Sequence, residues 1–472
     1  MFKSGDVFNM IVKIVLLTLT ISFVTCKDCY WNARCPYQLF SSKTPYESVR
    51  GDLRDENMPN CEPISLWSLH RHGNRNPSAQ VTEEIKELQK KIIYEILIAY
   101  ENNKTHLNCF QDIEDLLHWS WNTTLDTSPN YLTGIGYEEI FDIGKRVREK
   151  FETLLSGTPD KFYFRPTNEQ RTSTSAIAFV HGLTFGTGAN LTASIDAPWE
   201  QDNIIRPYES CAKYQEEVKK GQKLVNQLAL YDSSPEVLAV TERVRKHLGI
   251  NYQVTVADTY NLYELCRFHR SWSPKLRSPW CSFFSNEDLE VMEYRDDLRH
   301  YYRNGYGSEV NANLGTFALK DLYENFENAT LNRGKNIVSY FTHDTMFEMM
   351  ISALGLYEDT EPLLGSSRNA NRLWRTSEIA AFSSNLIAIL FKCQEQGDEM
   401  YRVQILINEK PTPLCPEEGC TWKQFVDRFQ YFTNANFEFC LNKEYLYDPS
   451  TNAGFNVSIV SLLLLLPILL VI

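Results

Sequence analysis

The chain lacks an excess of basic residues: 47 Lys and Arg stand against 60 Asp and Glu, for a formal net charge of -13. A nucleic-acid partner is therefore not expected, and any polyanionic ligand must be held by a local cluster of Arg, Lys and His against an unfavourable overall field. No internal repeat, low-complexity run or Pro/Gly/Ser-rich linker divides the chain, so it reads as one folded unit. Neither of the close cysteine pairs, Cys29/Cys35 and Cys415/Cys420, has the two-residue spacing of a zinc ribbon or finger. No metal or other cofactor is expected. The apolar run Val457 to Ile472 has no Lys or Arg behind it, whereas a spanning helix normally carries such residues on its cytoplasmic side.

What is present at the two ends points to the secretory pathway. Lys3 and Lys13 precede the short apolar run Ile14 to Val24, which marks residues 1–26 as a secretory signal peptide rather than a membrane span. Small residues at Ser450, Asn452, Ala453 and Gly454 precede the C-terminal apolar run, so residues 453–472 read as the propeptide of a glycosylphosphatidylinositol (GPI) anchor signal. The polar spacer is shorter than that pattern asks for, and a tail-anchored helix is the alternative. The sequons at Asn103, Asn122, Asn190 and Asn328 are glycosylation acceptors expected on surface loops. The 12 Cys, 11 if cleavage falls just after Cys26, favour disulfides in an oxidising compartment. The expected location is the extracellular face of the plasma membrane, held by a lipid anchor or the tail, or the medium after secretion.

Residues 27–452 are expected to form one domain with a mostly helical lobe at roughly 200–330, where aromatic and helix-forming residues dominate. Ile64 to Leu69 suggests a strand feeding a tight loop at His70-Arg71-His72-Gly73. A helix capped by Thr82 should follow, with Ile85, Leu88, Ile92, Ile96 and Tyr100 on one face. A second helix is expected from Gly136 to Leu155, stopped by Gly157. Strand-like runs lie at Lys161 to Arg165, Asn336 to Thr342, Asn385 to Lys392 and Tyr401 to Ile407, the last two as a hairpin and Asn336 to Thr342 as a buried parallel strand. Strands interleaved with helices indicate an α/β sheet, whose ligands gather at the C-terminal strand ends, where Arg71-His72-Gly73 and His343-Asp344 fall.

The segment RHGNRNP places Arg71, His72, Gly73, Arg75 and Pro77 together just past a strand. A neutral imidazole is a good nucleophile toward phosphorus, and guanidiniums beside it can hold phosphoryl oxygens as charge spreads over them. Asp344 could protonate a leaving alkoxide if burial and a neighbouring phosphate raised its pKa, with His343 as a further phosphate ligand. A His-Asp pair alone is more often a helix start. Arg171 precedes a helix whose N-terminal amides would point at an anion.

RHGNRNP with a distal His-Asp and an intervening Arg resembles the histidine acid phosphatases, branch 2 of the histidine phosphatase superfamily. More closely, the chain is similar to the multiple inositol polyphosphate phosphatase family, through LTGIGYEEIFDIGKR from 132, RTSTSAIAFVHG from 171, SPWCSFFSNEDLEVMEYRDDLRHYYRNGYG from 278, YFTHDTMFEMMISALGLYEDTEPL from 340 and VQILINEKPTPL from 403. The resemblance implies a Rossmann-like core with an inserted helical lobe. It implies His72 as phosphate acceptor, with Arg71, Arg75, Arg171 and His343 binding the scissile phosphate. The implied substrates are inositol hexakisphosphate and its lower phosphates, with 2,3-bisphosphoglycerate as a further one. Many members of that family carry His-Ala-Glu where this chain has His343-Asp344-Thr345, the acid phosphatase form, a difference that bears on positional preference among the ring phosphates and keeps a broad-specificity acid phosphatase reading alongside. A non-catalytic surface binding protein would be expected to have lost His72, Arg75 or Asp344, and all are present. No Lys/His-Asp-Glu-Leu retention signal ends the chain. Arg267, Lys275 and Arg277 are candidates for distal phosphates, though such residues are more often structural. Oligomeric state and disulfide pairing are not encoded legibly.

Overall fold

The apolar run near Ile64 is longer than its pattern suggests: β1 covers Cys61–Arg71, buried from Ser65 onward. The computed structural model describes residues 39–102, 110–274, 276, 278–395 and 398–441, so the expected signal peptide, the apolar tail, Asn103, Lys275 and Arg277 lie outside the described residues. β3 (Ile337–Thr342) is buried along its whole length because it has parallel neighbours on both sides. It pairs with β1 from Leu66↔Ile337 to Arg71↔Thr342, and with β2 (Phe162–Pro166) on its other edge. The antiparallel hairpin of β4 (Asn385–Glu395) and β5 (Asp398–Ile407) extends the sheet beyond β1. Two short strands pair with β5, giving a seven-stranded sheet. The expected α/β class holds, with a mixed sheet.

Helices cover the sheet where their apolar stripes demand it. In α1 (Ala79–Glu101) the stripe Ile85, Leu88, Ile92 and Ile96 is buried, while Tyr100 is partly exposed. The cap is Ser78, whose hydroxyl accepts from Val81 N–H, rather than Thr82, which is buried inside the helix. Pro77 followed by an extended Ser78 starts the helix as soon as the chain can turn. α2 (Gly134–Lys150) is capped by Thr133 two residues earlier than expected, and a 3-10 turn at Glu152–Leu155 takes up its remaining apolar residues. α3 (Gln170–Thr184) packs along α2. After it, α4 (Val256–Trp272), α5 (Asn286–Asn304) and α6 (Glu309–Thr330) are the longer helices of a stretch that has no strand between residues 197 and 336, among those described. α7 (Asp344–Ala353) follows β3 directly. No helix among the described residues is long and apolar enough to cross a membrane.

Among the described residues, four disulfides join Cys61 to Cys393, Cys211 to Cys440, Cys266 to Cys281 and Cys415 to Cys420. The last pair is therefore a bridge. Asn122 and Asn190 lie in exposed loops, whereas Asn328 is exposed in the last turn of α6 rather than in a loop.

The loop after β1 is set by close backbone contact with the first turn of α2. A Cβ added at Gly136 would lie 2.2 Å from Asn74 O, and one at Gly73 would lie 2.2 Å from Gly136 O. Gly134, two residues earlier, has open space around it. Gly136→Ala is therefore expected to cost about 1–3 kcal/mol in denaturant unfolding, and Gly134→Ala to be neutral or stabilising by up to about 1 kcal/mol. Equal effects at the two positions would contradict this contact.

Candidate active site

Parallel pairing brings the ends of β1 and β3 to one edge of the sheet, and the residues that follow each strand meet there. His72 is the first residue past β1. Its N–H donates to Thr342 O at 3.0 Å, and its carbonyl accepts from Ser383 N–H at 3.2 Å. Its Nδ1 lies 2.8 Å from Gly73 O. A carbonyl can only accept, so the proton sits on Nδ1 and the Nε2 lone pair is left free. Burial lowers the His72 pKa well below its usual value, and Arg71, Arg171, Arg75 and His343 add to the effect. The ring is thus a neutral imidazole. The His343 ring meets it edge-on, with centroids 5.6 Å apart.

Guanidiniums surround this pair. Arg71 is wholly buried behind it: Nη1 donates to Ser42 O at 2.6 Å and Ala380 O at 2.7 Å, and the group lies over the Phe382 ring. Its Nε and Nη2 have no hydrogen-bond partner among the described residues, though Nη2 is 3.3 Å from Asp344 Oδ2. Arg75 donates to Asn76 O at 2.8 Å, and burial, reinforced by Arg171 and Arg71, brings its pKa down to about 10. Arg171, in the first turn of α3, donates to Glu169 at 3.2 Å and to His343 Nδ1 at 3.3 Å. Because a guanidinium only donates, His343 carries its proton on Nε2 and gives it to Thr167 Oγ1 at 3.0 Å. Burial and then Arg171 hold the His343 pKa well below its usual value.

Asp344 begins α7, where its Oδ1 accepts from Thr345 N–H at 2.9 Å. Its pKa is lowered, contrary to the raised value expected from sequence. Burial is the strongest influence and pushes it up, but the opposing charges around it, Arg71 first, outweigh it and hold the carboxyl well below the usual range. Further groups lie near this carboxyl. Glu348, one turn after Asp344 on α7, takes His300 Nδ1 at 2.9 Å and Asn304 Nδ2 at 2.8 Å. Lys43 donates to Ser42 Oγ at 3.2 Å, and burial brings its pKa down to about 7.

A cavity of about 170 Å³ opens onto the group. His72, Arg75, Arg171, His343 and Asp344 line it, and Arg71 does not. Arg206, Lys219 and Arg303 also line it, as do Tyr208, Tyr214 and Glu209. Sequence reasoning missed all of these. Lys219 closes a single π-helical turn, Tyr214–Lys219, a feature without a sequence signature, and Arg303 lies in the last turn of α5, inside the segment from 278 that carries the resemblance but with nothing in its spacing to mark it as a ligand of the site. Arg267 is not available for a ligand: it is fully buried, ion-paired with Glu264 and Asp296, and packed over Tyr263. Leaving those two buried carboxylates unpaired would be costly, so its role is internal.

The arrangement can hold a phosphoryl group between a neutral imidazole with a free lone pair, several cationic donors and one carboxyl. The family model described as histidine phosphatase superfamily (branch 2) matches residues 64–408. The chain is 30% identical over 443 residues to multiple inositol polyphosphate phosphatase 1 of Drosophila melanogaster, covering 90% of this chain and 92% of that one. It is 24% identical to the protein of the same name from Homo sapiens, over 83% of this chain and 85% of the relative. Among solved structures, the phytase from D. castellii superposes with a TM-score of 0.69 at 18% identity, over 86% of this chain and 87% of that one. The Bifidobacterium longum multiple inositol polyphosphate phosphatase in complex with inositol hexasulfate gives 0.62 at 14% identity, over 80% and 94%. With the family model covering most of the chain and the motifs in place around the cavity, the protein belongs to branch 2 of the histidine phosphatase superfamily.

Proposed function

We propose that this phosphatase removes phosphates from inositol polyphosphates, inositol hexakisphosphate and its lower phosphates, through a phosphohistidine at His72, with 2,3-bisphosphoglycerate as a further substrate. The observation that carries the proposal is the free Nε2 of a neutral His72 beside a cavity lined by five Arg and Lys side chains, Arg75, Arg171, Arg206, Lys219 and Arg303. A substrate bearing several phosphates matches that density of cations. Relatives named for inositol polyphosphates support the substrate class.

In the proposed reaction Nε2 attacks phosphorus, the P–O bond to the ring carbon's oxygen breaks, and Asp344 gives that oxygen a proton. Water then attacks the phosphohistidine, Asp344 takes the water's proton, and phosphate leaves with the imidazole restored. Arg71, Arg75 and Arg171 hold the equatorial oxygens. Substrate brings negative charge against Arg71, offsetting the cation that keeps Asp344 ionised, so the carboxyl can enter the cycle protonated. His343 can donate through Nδ1 once its proton moves from Nε2, with the Thr167 hydroxyl turning to donate in its place.

A second reading, a broad-specificity acid phosphatase, is favoured by His343-Asp344-Thr345 and by relatives such as acid phosphatase PHO1 of Komagataella pastoris, 22% identical. A higher kcat/KM on inositol hexakisphosphate than on an aryl phosphate supports the first reading, and the reverse order supports the second. The four disulfides fit a secretory-pathway protein. Within that setting we read residues 1–26 as a leader, 453–472 as a GPI-anchor signal and the sequons as glycosylated. Phospholipase C specific for phosphatidylinositol should release the protein from cells, and retention would favour the tail-anchored alternative.

His72→Ala should lower turnover by at least about a thousandfold and abolish the acid-labile phosphoenzyme; surviving turnover would place the nucleophile elsewhere. Because the pKa of His72 is lowered, its neutral form persists below the usual value, and activity should hold to a lower pH than an ordinary imidazole, with a pKa of about 6.5, would allow. Asp344→Asn should cost about 10²–10⁴-fold on inositol phosphates and much less on an aryl phosphate with a good leaving group. Equal losses on both substrates would contradict the acid role.

A further inference from the structure

A second cavity, of about 590 Å³, opens at the start of α2, and the proposed reaction makes no use of it. Trp119 and Trp272 form part of its wall, with His269, Asn76 and Asn122. Glu138 is the one formally charged residue among those that line it, since burial, and then Arg270, brings the His269 pKa down to about 4 and leaves that ring neutral. A cavity with indole rings, neutral polar groups and one carboxylate disfavours phosphate. It suits a neutral ring that presents an apolar face to the aromatics and hydroxyl or amide groups to their neighbours. Among the described residues, Trp272 Nε1 and His269 Nδ1 are buried without hydrogen-bond partners, a condition that costs free energy.

Asn122 supplies the tether for such a ring. It begins an Asn-Thr-Thr sequon and is exposed. Its Oδ1 accepts from Thr124 N–H at 3.1 Å and Thr124 Oγ1 at 2.8 Å, while Nδ2 donates no hydrogen bond among the described residues. The nitrogen that an N-linked sugar would occupy is thus left open on the lining of the cavity.

We propose that this cavity seats the first N-acetylglucosamine of a glycan carried on Asn122. The proposal rests on the reading that the chain is glycosylated in the secretory pathway. Attachment joins Asn122 Nδ2 to the sugar's C1 as the C1–O bond of a lipid diphosphate donor breaks, the amide proton going to solvent and the diphosphate leaving. The seated sugar then presses on the back of the loop that holds Arg75. Asn76, the next residue, is a wall of the cavity and donates to Ser128 at 3.0 Å. Thr133, another wall, donates to Asn74 O at 3.1 Å.

The exposed sequons Asn190 and Asn328 do not border this cavity and serve as internal controls. The full-length protein would be made in a glycosylating eukaryotic host and digested, still folded, with peptide:N-glycosidase F, and occupancy at each site followed by mass spectrometry. Asn122 should be released at least about tenfold more slowly than Asn190 and Asn328, because the seat must open first, and Trp119→Ala should bring its rate to that of the other two. Equal release from all three in the unaltered protein overturns the seat, whether or not the variant folds. Sugar on Asn190 and Asn328 but none on Asn122 overturns the assignment of this site. No sugar on any of them instead overturns the secretory reading beneath it.

Discussion

One pairing of backbone carries the rest: β1 beside β3 in parallel, with Arg71 opposite Thr342 and the His72 N–H bound to Thr342 O at 3.0 Å. Parallel strands end at the same edge of a sheet, so the residue after each strand arrives at one place however far apart the two are in the chain. A slip of one residue would turn the side chains to the opposite faces. β4 guards the register from the other side, because Ser384 O accepts from Arg71 N–H at 2.8 Å and Ser383 N–H donates to the His72 carbonyl. Gly73 and Gly136 then let the loop and α2 touch at a distance that no side chain would allow.

On this scaffold a chain of net charge -13 gathers its cations in one small volume. Burial lowers the pKa of Arg71, of Arg75 and of Arg171, and the crowding of like charges adds to it for each of them or for their neighbours. The site is poised for an anion, since a phosphate would satisfy the free edge of Arg71 and relieve that repulsion. Asp344 is the counterweight, lying 3.3 Å from Arg71 with Lys43 and the His300–Glu348 pair behind it. Whether that carboxyl carries a proton is decided by the balance of these charges, which a substrate phosphate shifts.

The sequence displayed the strand ends, the buried stripe of α1 and the RHGNRNP loop because each follows from local periodicity or residue type. Capping was misplaced at Thr82 because a hydroxyl at Ser78 and a proline before it start the helix earlier, and two nearby hydroxyl residues look alike in one dimension. Arg206, Lys219 and Arg303 were invisible because nothing but the packing of the helices between β2 and β3 brings them to the cavity. Arg267 misled for the same reason in reverse: Glu264 stands one turn before it on α4, but its other partner, Asp296 on α5, is met only in three dimensions. The lowered pKa of Asp344 was equally hidden, since it depends on an arginine from another strand.

The central claim concerns a single atom, Nε2 of His72, and a crystal structure with orthovanadate bound tests it most directly. The account predicts vanadium bonded to that nitrogen in trigonal-bipyramidal geometry, its equatorial oxygens held by Arg71, Arg75 and Arg171 and an axial oxygen beside Asp344. Vanadate bound elsewhere in the cavity, with no bond to His72 and no oxygen near Asp344, would contradict it.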